Sequence, residues 1–274
     1  MKYMTFNSSC SYAGIANMLE QYGVETDDKT IALEMKLPYL FSYCDGVYLS
    51  GPMLQSAEWF NLYLNPIGYE LLEEEISADK IADYLKLQKT AMFGIKVENT
   101  GKHAVVYTGT ESDILTFLNN KWETEEAPSE FRLTADELKQ RVEPMVVVAT
   151  LRQIPATCVD FTDKLKTSIS VLQTNLTDII ELCSTQETIG NLRLKLNTLF
   201  RPLFLDGITM LNLIGETALA KEFERLQQEL MSALRQAPQQ SICLEEYVSI
   251  SKLQASAEMY MQLISNVTEI AKDD

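Results

Sequence analysis

Residues 103–122, HAVVYTGTESDILTFLNNKW, decide how this chain is read. His103 opens a run rich in Val, Tyr and Thr. Residues 110–113 supply turn formers, and residues 114–118 form a second β-prone run that leads into Asn119, Asn120 and Trp122. Two such runs joined by a short polar turn predict a hairpin, with His103 and an Asn side by side at one edge of a sheet. An amide in that place can orient an imidazole. Further short runs at 91–97 and 145–150, with a turn expected at Asn99 and Thr100, extend the hairpin into an antiparallel sheet.

Upstream of the sheet the pattern is helical. Ser8 and Ser9 are placed to cap a helix from Cys10 to Tyr22, with Gly23 as its stop. Further helices are expected after Gly51 and Pro52 as far as Leu64, and over 27–36 and 77–87. Helices followed by an antiparallel sheet are the order of an α+β domain. From Phe161 onward, apolar residues recur three and four apart, as in Leu165, Ile169, Leu172, Leu176 and Ile179, and again in Phe223, Leu226, Leu230 and Leu234. Breaks near Gly190, 202–207 and Pro238 divide this region into about four helices that would pack as a bundle. Most of the aromatic residues, the glycines and the net charge of −16 lie in residues 1–150, and Pro155 interrupts the chain just beyond. The expected domains are therefore 1–154 and 155–274.

Composition narrows the function. With 39 acidic against 23 basic residues, the chain lacks the clustered cations that a nucleic-acid backbone requires, so no nucleic-acid partner is expected. One histidine in 274 residues excludes sites built on two imidazoles. The five cysteines, Cys10, Cys44, Cys158, Cys183 and Cys243, show neither zinc-ligand spacing nor a disulfide framework. The reading expects reduced thiols, no metal and no organic cofactor. Without a run of about 18 apolar residues or a signal-type apolar core near the start, the expected setting is cytoplasmic, with no membrane partner. Cys10 differs from the other thiols in its place. At the first turn of a helix, free N–H groups and the helix dipole favour a thiolate.

These residues resemble a family. The start Cys10-x-x-Ala13-Gly14, the His103-Ala-Val-Val strand, the hairpin to Asn119 and the nearby Trp122 are similar to the active-site segments of papain-like cysteine peptidases, in the order Cys, His, Asn. The resemblance covers about residues 1–150. It implies a papain-like α+β fold with Cys10 as nucleophile, His103 as the base that takes its proton and returns it to the leaving group, and Asn119, with Asn120 as a second candidate, holding the imidazole. The family's Gln before the Cys, which helps stabilise the oxyanion, has no counterpart upstream of Cys10; Asn7 is the nearest amide. A looser resemblance takes in Cys10, Gly14, Asn17, Tyr22-Gly23, the LPYLF segment at 37–41, Asp45-Gly46 and the trailing helices. With Leu19 between Asn17 and Tyr22, it is to the acyltransferases named for butirosin biosynthesis, and it implies transfer from a carrier-protein thioester to an amine. Leader peptidases that cut after double glycine are a related alternative.

The expected function is thiol-dependent acyl chemistry on a small-molecule or peptide substrate, resolved by water or by an amine. Transfer is slightly favoured, because a helical bundle beside the site can dock an acyl carrier protein or shield the acyl-enzyme. The competing reading is a binding or assembly module that keeps the fold without turnover. Tyr39, Phe41, Tyr43, Tyr48 and Trp122 are candidate substrate contacts. The acidic runs at 73–75 and at Glu123, Glu125 and Glu126 read as solvated faces, or else as selectors of basic substrates. The bundle is a candidate homodimer surface.

Overall fold

The computed structural model describes residues 1–97 and 101–270; the turn expected at Asn99 and Thr100 lies outside them. In chain order the elements are α1 (Cys10–Glu20), α2 (Asp28–Glu34), β1 (Phe41–Cys44), β2 (Val47–Ser50), α3 (Ala57–Leu64), β3 (Tyr69–Ser77), α4 (Ile81–Lys86), β4 (Ala91–Val97), β5 (Gly101–Glu111) and β6 (Ile114–Asn119). There follow β7 (Glu130–Leu133), α5 (Ala135–Arg141), β8 (Met145–Gln153), α6 (Thr162–Cys183), β9 (Gln186–Thr188), α7 (Ile189–Leu194), α8 (Ile208–Leu213), α9 (Thr217–Ala233), β10 (Ser241–Cys243) and α10 (Ile250–Ile270). The chain is α+β, with helices and antiparallel sheets. Among the described residues no helix is long and apolar enough to cross a membrane.

Backbone contacts divide the chain into two compact units: Met1–Met35 with Gln55–Val159, and Lys36–Leu54 with Asp160–Asp274. The segment 36–54, expected in the first domain, groups with the second unit, and the later boundary falls at 159/160.

The first unit is built on a six-stranded antiparallel sheet in the order β3-β8-β4-β5-β6-β7. The hairpin expected from residues 103–122 supplies its fourth and fifth strands: β5 and β6 pair from Glu111↔Ile114 to Val105↔Asn119. The two-residue turn at Ser112 and Asp113 has positive φ at both positions, the primed geometry whose twist suits a hairpin. Alternation along the strands sends Phe93, Ile95, Val105, Tyr107 and Phe117 into a core with Ile81 and Leu85 of α4, Leu138 of α5 and Val142 just beyond it. Met92 points the other way, toward α1.

Three local expectations for the first 90 residues are corrected. The helix expected over 77–87 begins only at Ile81, because 69–77 is the edge strand β3, paired to β8 from Tyr69↔Gln153 to Ser77↔Met145. The acidic run has poor β propensity, and nine residues of ladder override it. The helix expected from Gly51-Pro52 to Leu64 is split into a 3₁₀ turn at Gly51–Met53 and α3, with Gln55 in the gap. Ser9 stands at the N-cap position of α1, but its hydroxyl donates to Asp28 Oδ2 (2.6 Å) instead of capping the helix.

In the second unit α6 packs against α10 and against β1. The unit is not all-α, for it also contains the antiparallel pairs β1–β2 and β9–β10. The first is fixed by Asp45-Gly46, both at positive φ between Cys44 and Val47, a type I′ sequence signal. Where helix breaks were expected at 202–207, the chain forms π-helical turns at Leu196–Phe200 and Pro202–Gly207. Pro202 cannot take part in an ordinary helical ladder, and a Cβ on Gly207 would lie 2.8 Å from the Pro202 carbonyl oxygen.

Candidate active site

Cys10 is the first residue of α1. With Ser9 turned toward Asp28, its side chain makes no capping hydrogen bond to this first turn. The turn is held from below. Asp28, fully buried at the start of α2, accepts hydrogen bonds from Thr5 N (2.7 Å), Thr5 Oγ1 (2.7 Å) and Ser9 Oγ (2.6 Å). A buried carboxylate costs free energy unless its lone pairs are used, and here three donors use them. Asp28 thus ties 5–9 to α2 immediately ahead of Cys10, a role that no sequence pattern had marked.

Gly14 brings α1 onto the sheet. A Cβ there would lie 2.4 Å from Met92 Sδ and 2.7 Å from Asn120 Nδ2. Asn120, the second candidate for orienting the imidazole, is instead fully buried in a structural network: it accepts from Asn17 Nδ2 (3.0 Å) and donates to Ala104 O (3.0 Å). Asn17 in turn accepts from Lys2 N (2.6 Å). Replacing a helical glycine with alanine ordinarily stabilises by about 0.5–1 kcal/mol. At Gly14 the added methyl group meets Met92 and the Asn120 amide, so Gly14→Ala is expected to destabilise by about 1–3 kcal/mol. Denaturant unfolding checks this, and stability at or above wild type would show that Met92 moves aside freely.

His103, near the start of β5, lies with Cys10 on one cavity of about 280 Å³. The two side chains shift each other in opposite senses. Burial is the largest influence on Cys10 and pushes its thiol up. The His103 hydrogen bond, the Ala104 backbone, the imidazolium charge and Ser11 together outweigh burial, so the pKa ends below the usual thiol value. Burial is also the largest influence on His103 and acts against its charged form. The hydrogen bond and charge of Cys10, then Asn119 and the charge of Glu125, outweigh it, so the imidazole pKa ends above its usual value. Each side chain thus favours the charged form of the other.

Asn119 acts on His103 but stops short of a well-aligned bond. Its amide donates to Pro128 O (3.1 Å), and the buried His103 Nε2 has no hydrogen-bond partner among the described residues. Glu125 is held in the turn after β6, where its carboxylate accepts from Trp122 N (3.2 Å) and its carbonyl from Lys121 Nζ (2.6 Å). Two further residues of the cavity escaped the sequence reading. Gln55, from the gap before α3, accepts from Ser11 Oγ (2.9 Å), which leaves its amide N–H groups to donate. Glu73 of β3 lines the same cavity.

The chain is similar to a bacterial peptidase domain. The match is to the crystal structure of the peptidase domain of Streptococcus ComA, a bi-functional ABC transporter involved in a quorum sensing pathway, with TM-score 0.38 and 14% identity over 56% of this chain and 96% of that one. No protein-family model matches the sequence, and neither does any curated protein.

The remaining candidates lie elsewhere. Asn7 is exposed in the turn ahead of α1 and does not line the Cys10 cavity. Trp122 forms a parallel bridge to Met4 beside the Glu125 turn. Tyr39, Phe41, Tyr43 and Tyr48 belong to the second unit. There Phe41 packs edge-on against Tyr260, and Tyr48 donates to Asp178 Oδ2 (2.5 Å). Tyr43 and Tyr48 line a separate cavity of about 370 Å³ with Asp178 and Lys195. Among the described residues no group of three or more His, Cys, Asp or Glu side chains is arranged to hold a metal ion.

Proposed function

We propose that this chain is a cysteine-dependent acyl-transfer enzyme of the papain-like type, in which Cys10 takes an acyl group from an amide or thioester. The observation that carries the reading is the placement of Cys10, at the first turn of α1, and His103, near the start of β5, on one cavity, where each side chain favours the charged form of the other. Such a pair favours an ionised nucleophile and keeps a proton ready for the leaving group.

In the proposed sequence Cys10 Sγ attacks the carbonyl carbon, and the carbonyl oxygen becomes an oxyanion beside the first turn of α1. The N–H group of Cys10 and the amide of Gln55, which lines the same cavity, then receive it. His103 gives its proton to the departing nitrogen or sulfur, and the acyl group remains on Cys10. His103 then takes a proton from water, in hydrolysis, or from an amine, in transfer, and the thiolate leaves. Asn119 restrains the imidazole and Glu125 supports its charge. Peptide or amide hydrolysis and transfer from a carrier-protein thioester share every step up to the acyl-enzyme and differ only in the acceptor.

The test is intact-mass analysis after brief exposure to a panel of thioesters and peptide esters, with fragmentation to place the adduct. The expected result is one acyl group on Cys10, absent in Cys10→Ala and discharged by water or an added amine. No adduct on Cys10, together with iodoacetamide labelling no faster there than at exposed Cys158, would leave the reading without support and favour a binding module.

A further inference from the structure

The run Glu73-Glu74-Glu75 is divided by the fold. The Glu74 carboxylate accepts from Tyr84 Oη (2.6 Å), and Glu75 lines a different cavity with Lys80. Glu73 alone of the three lines the cavity of Cys10. Its register sets the side: Glu73 pairs with Ala149, which also pairs with Met92, so all three share the side of the sheet that faces α1, whereas Glu74 is on the other side and Glu75, on the same side, lies further along the strand toward Lys80. One carboxylate oxygen is anchored, since Glu73 Oε2 accepts from Ala57 N (3.1 Å). The other oxygen is left for a ligand.

The charge balance of the cavity follows. A thiolate and an imidazolium cancel, and among the described residues that line the cavity Glu73 is the only other ionisable side chain. The remaining surface is neutral, including Met92, Gly94 and Val147. The site therefore presents net negative charge at one edge of an otherwise uncharged wall. Glu125, whose charge reaches His103, adds to the same sign.

We propose that the Cys10 cavity selects substrates carrying a cationic group, an amine or a basic side chain, close to the reacting carbonyl, and that Glu73 is the residue that recognises it. The inference rests on Cys10 as the nucleophile and names the substrate class of that site. A lysine- or arginine-containing peptide and an amino-acyl thioester share this chemistry.

The test uses three thiol reagents of similar size on the full chain: aminoethyl (cationic), methyl (neutral) and sulfonatoethyl (anionic) methanethiosulfonates. Each forms a disulfide with the cysteine sulfur and releases methanesulfinate. At low ionic strength the ratio of cationic to neutral rates at Cys10 is expected to fall about five-fold in Glu73→Gln, the anionic to neutral ratio to rise similarly, and both changes to shrink with added salt. Gln keeps an oxygen for Ala57 N, so the loop carrying Gln55 stays anchored. The same ratios at Cys44, an exposed thiol beside Asp45, are expected not to move. Ratios at Cys10 that are the same in wild type and Glu73→Gln overturn the inference. Because a ratio cancels the reactivity of the thiol itself, an inert Cys10 shows separately, as a slow neutral rate no greater than that of Cys44, and that result overturns the nucleophile reading instead.

Discussion

His103→Ala is expected to lower acylation of Cys10 by roughly 10²–10⁴-fold, the usual worth of a positioned proton donor and acceptor. Two losses combine. Without the imidazole, burial is left as the main influence on the thiol and pushes its pKa up, and each unit above the ambient pH removes about ten-fold of the thiolate. The leaving group also loses its proton source. Alkylation by iodoacetamide, which needs only the thiolate, is expected to slow less than acylation, and the difference between the two rates measures the proton-transfer part. Equal iodoacetamide rates in wild type and His103→Ala would show that the imidazole does not ionise Cys10.

The pH dependence has a definite sign. Cys10 is shifted down, so the thiolate appears as pH rises past a point below the ordinary thiol range. His103 is shifted up, so its proton persists to a pH above the ordinary imidazole range. Acylation is expected to rise through the first titration and fall through the second, with apparent values that belong to the pair. As the chain has a single histidine, its imidazole proton resonance is unambiguous in NMR. In Cys10→Ala its titration is expected to move to lower pH, because the thiolate's hydrogen bond and charge are gone while burial remains.

That Cys10 and His103 come to one cavity could be expected from local signals, a helix start and the head of a β-prone run, and Asn119 was singled out in the same way, at the end of the hairpin partner. The choice between Asn119 and Asn120 was not local. Neighbours at a strand end project to opposite sides, and the packing of Gly14 and Asn17 against Asn120 commits that amide to the α1 network. The strand β3 was hidden because three glutamates argue against a strand, and only the ladder with β8 reveals it. The grouping of 36–54 with the second unit could not be read from composition, for its aromatic content matches the first half of the chain. The Asp45-Gly46 hairpin was visible in principle, since that dipeptide is a strong turn signal, and the two positive φ values show why. Asp28 gave no signal at all. An acidic residue opening a helix is ordinary, and only its donors, Thr5 and Ser9, reveal what it holds.

Gln55→Ala is expected to reduce acylation of Cys10 by about 10²–10³-fold, the typical cost of one oxyanion donor. The expectation arises from a substitution in the chain's own layout. The amide that papain-like peptidases place before the nucleophile is missing upstream of Cys10, where Asn7 is exposed and off the cavity. Gln55 arrives instead from the break between the 3₁₀ turn and α3, and the Ser11 hydroxyl, one residue beyond the nucleophile, fixes the orientation of its carboxamide. A donor so placed acts only when negative charge develops on the carbonyl oxygen. Iodoacetamide attack at a saturated carbon develops no such charge, so alkylation of Cys10 in Gln55→Ala is expected to remain close to wild type while acylation collapses. Asn7→Ala is expected to change neither. Ser11→Ala removes the orienting hydroxyl and should produce a smaller loss of the same kind, since the carboxamide can then turn its oxygen toward the oxyanion for part of the time. Equal losses of alkylation and acylation in Gln55→Ala would place Gln55 in the packing around the helix start, and would return the oxyanion to the N–H groups of the first turn of α1 alone.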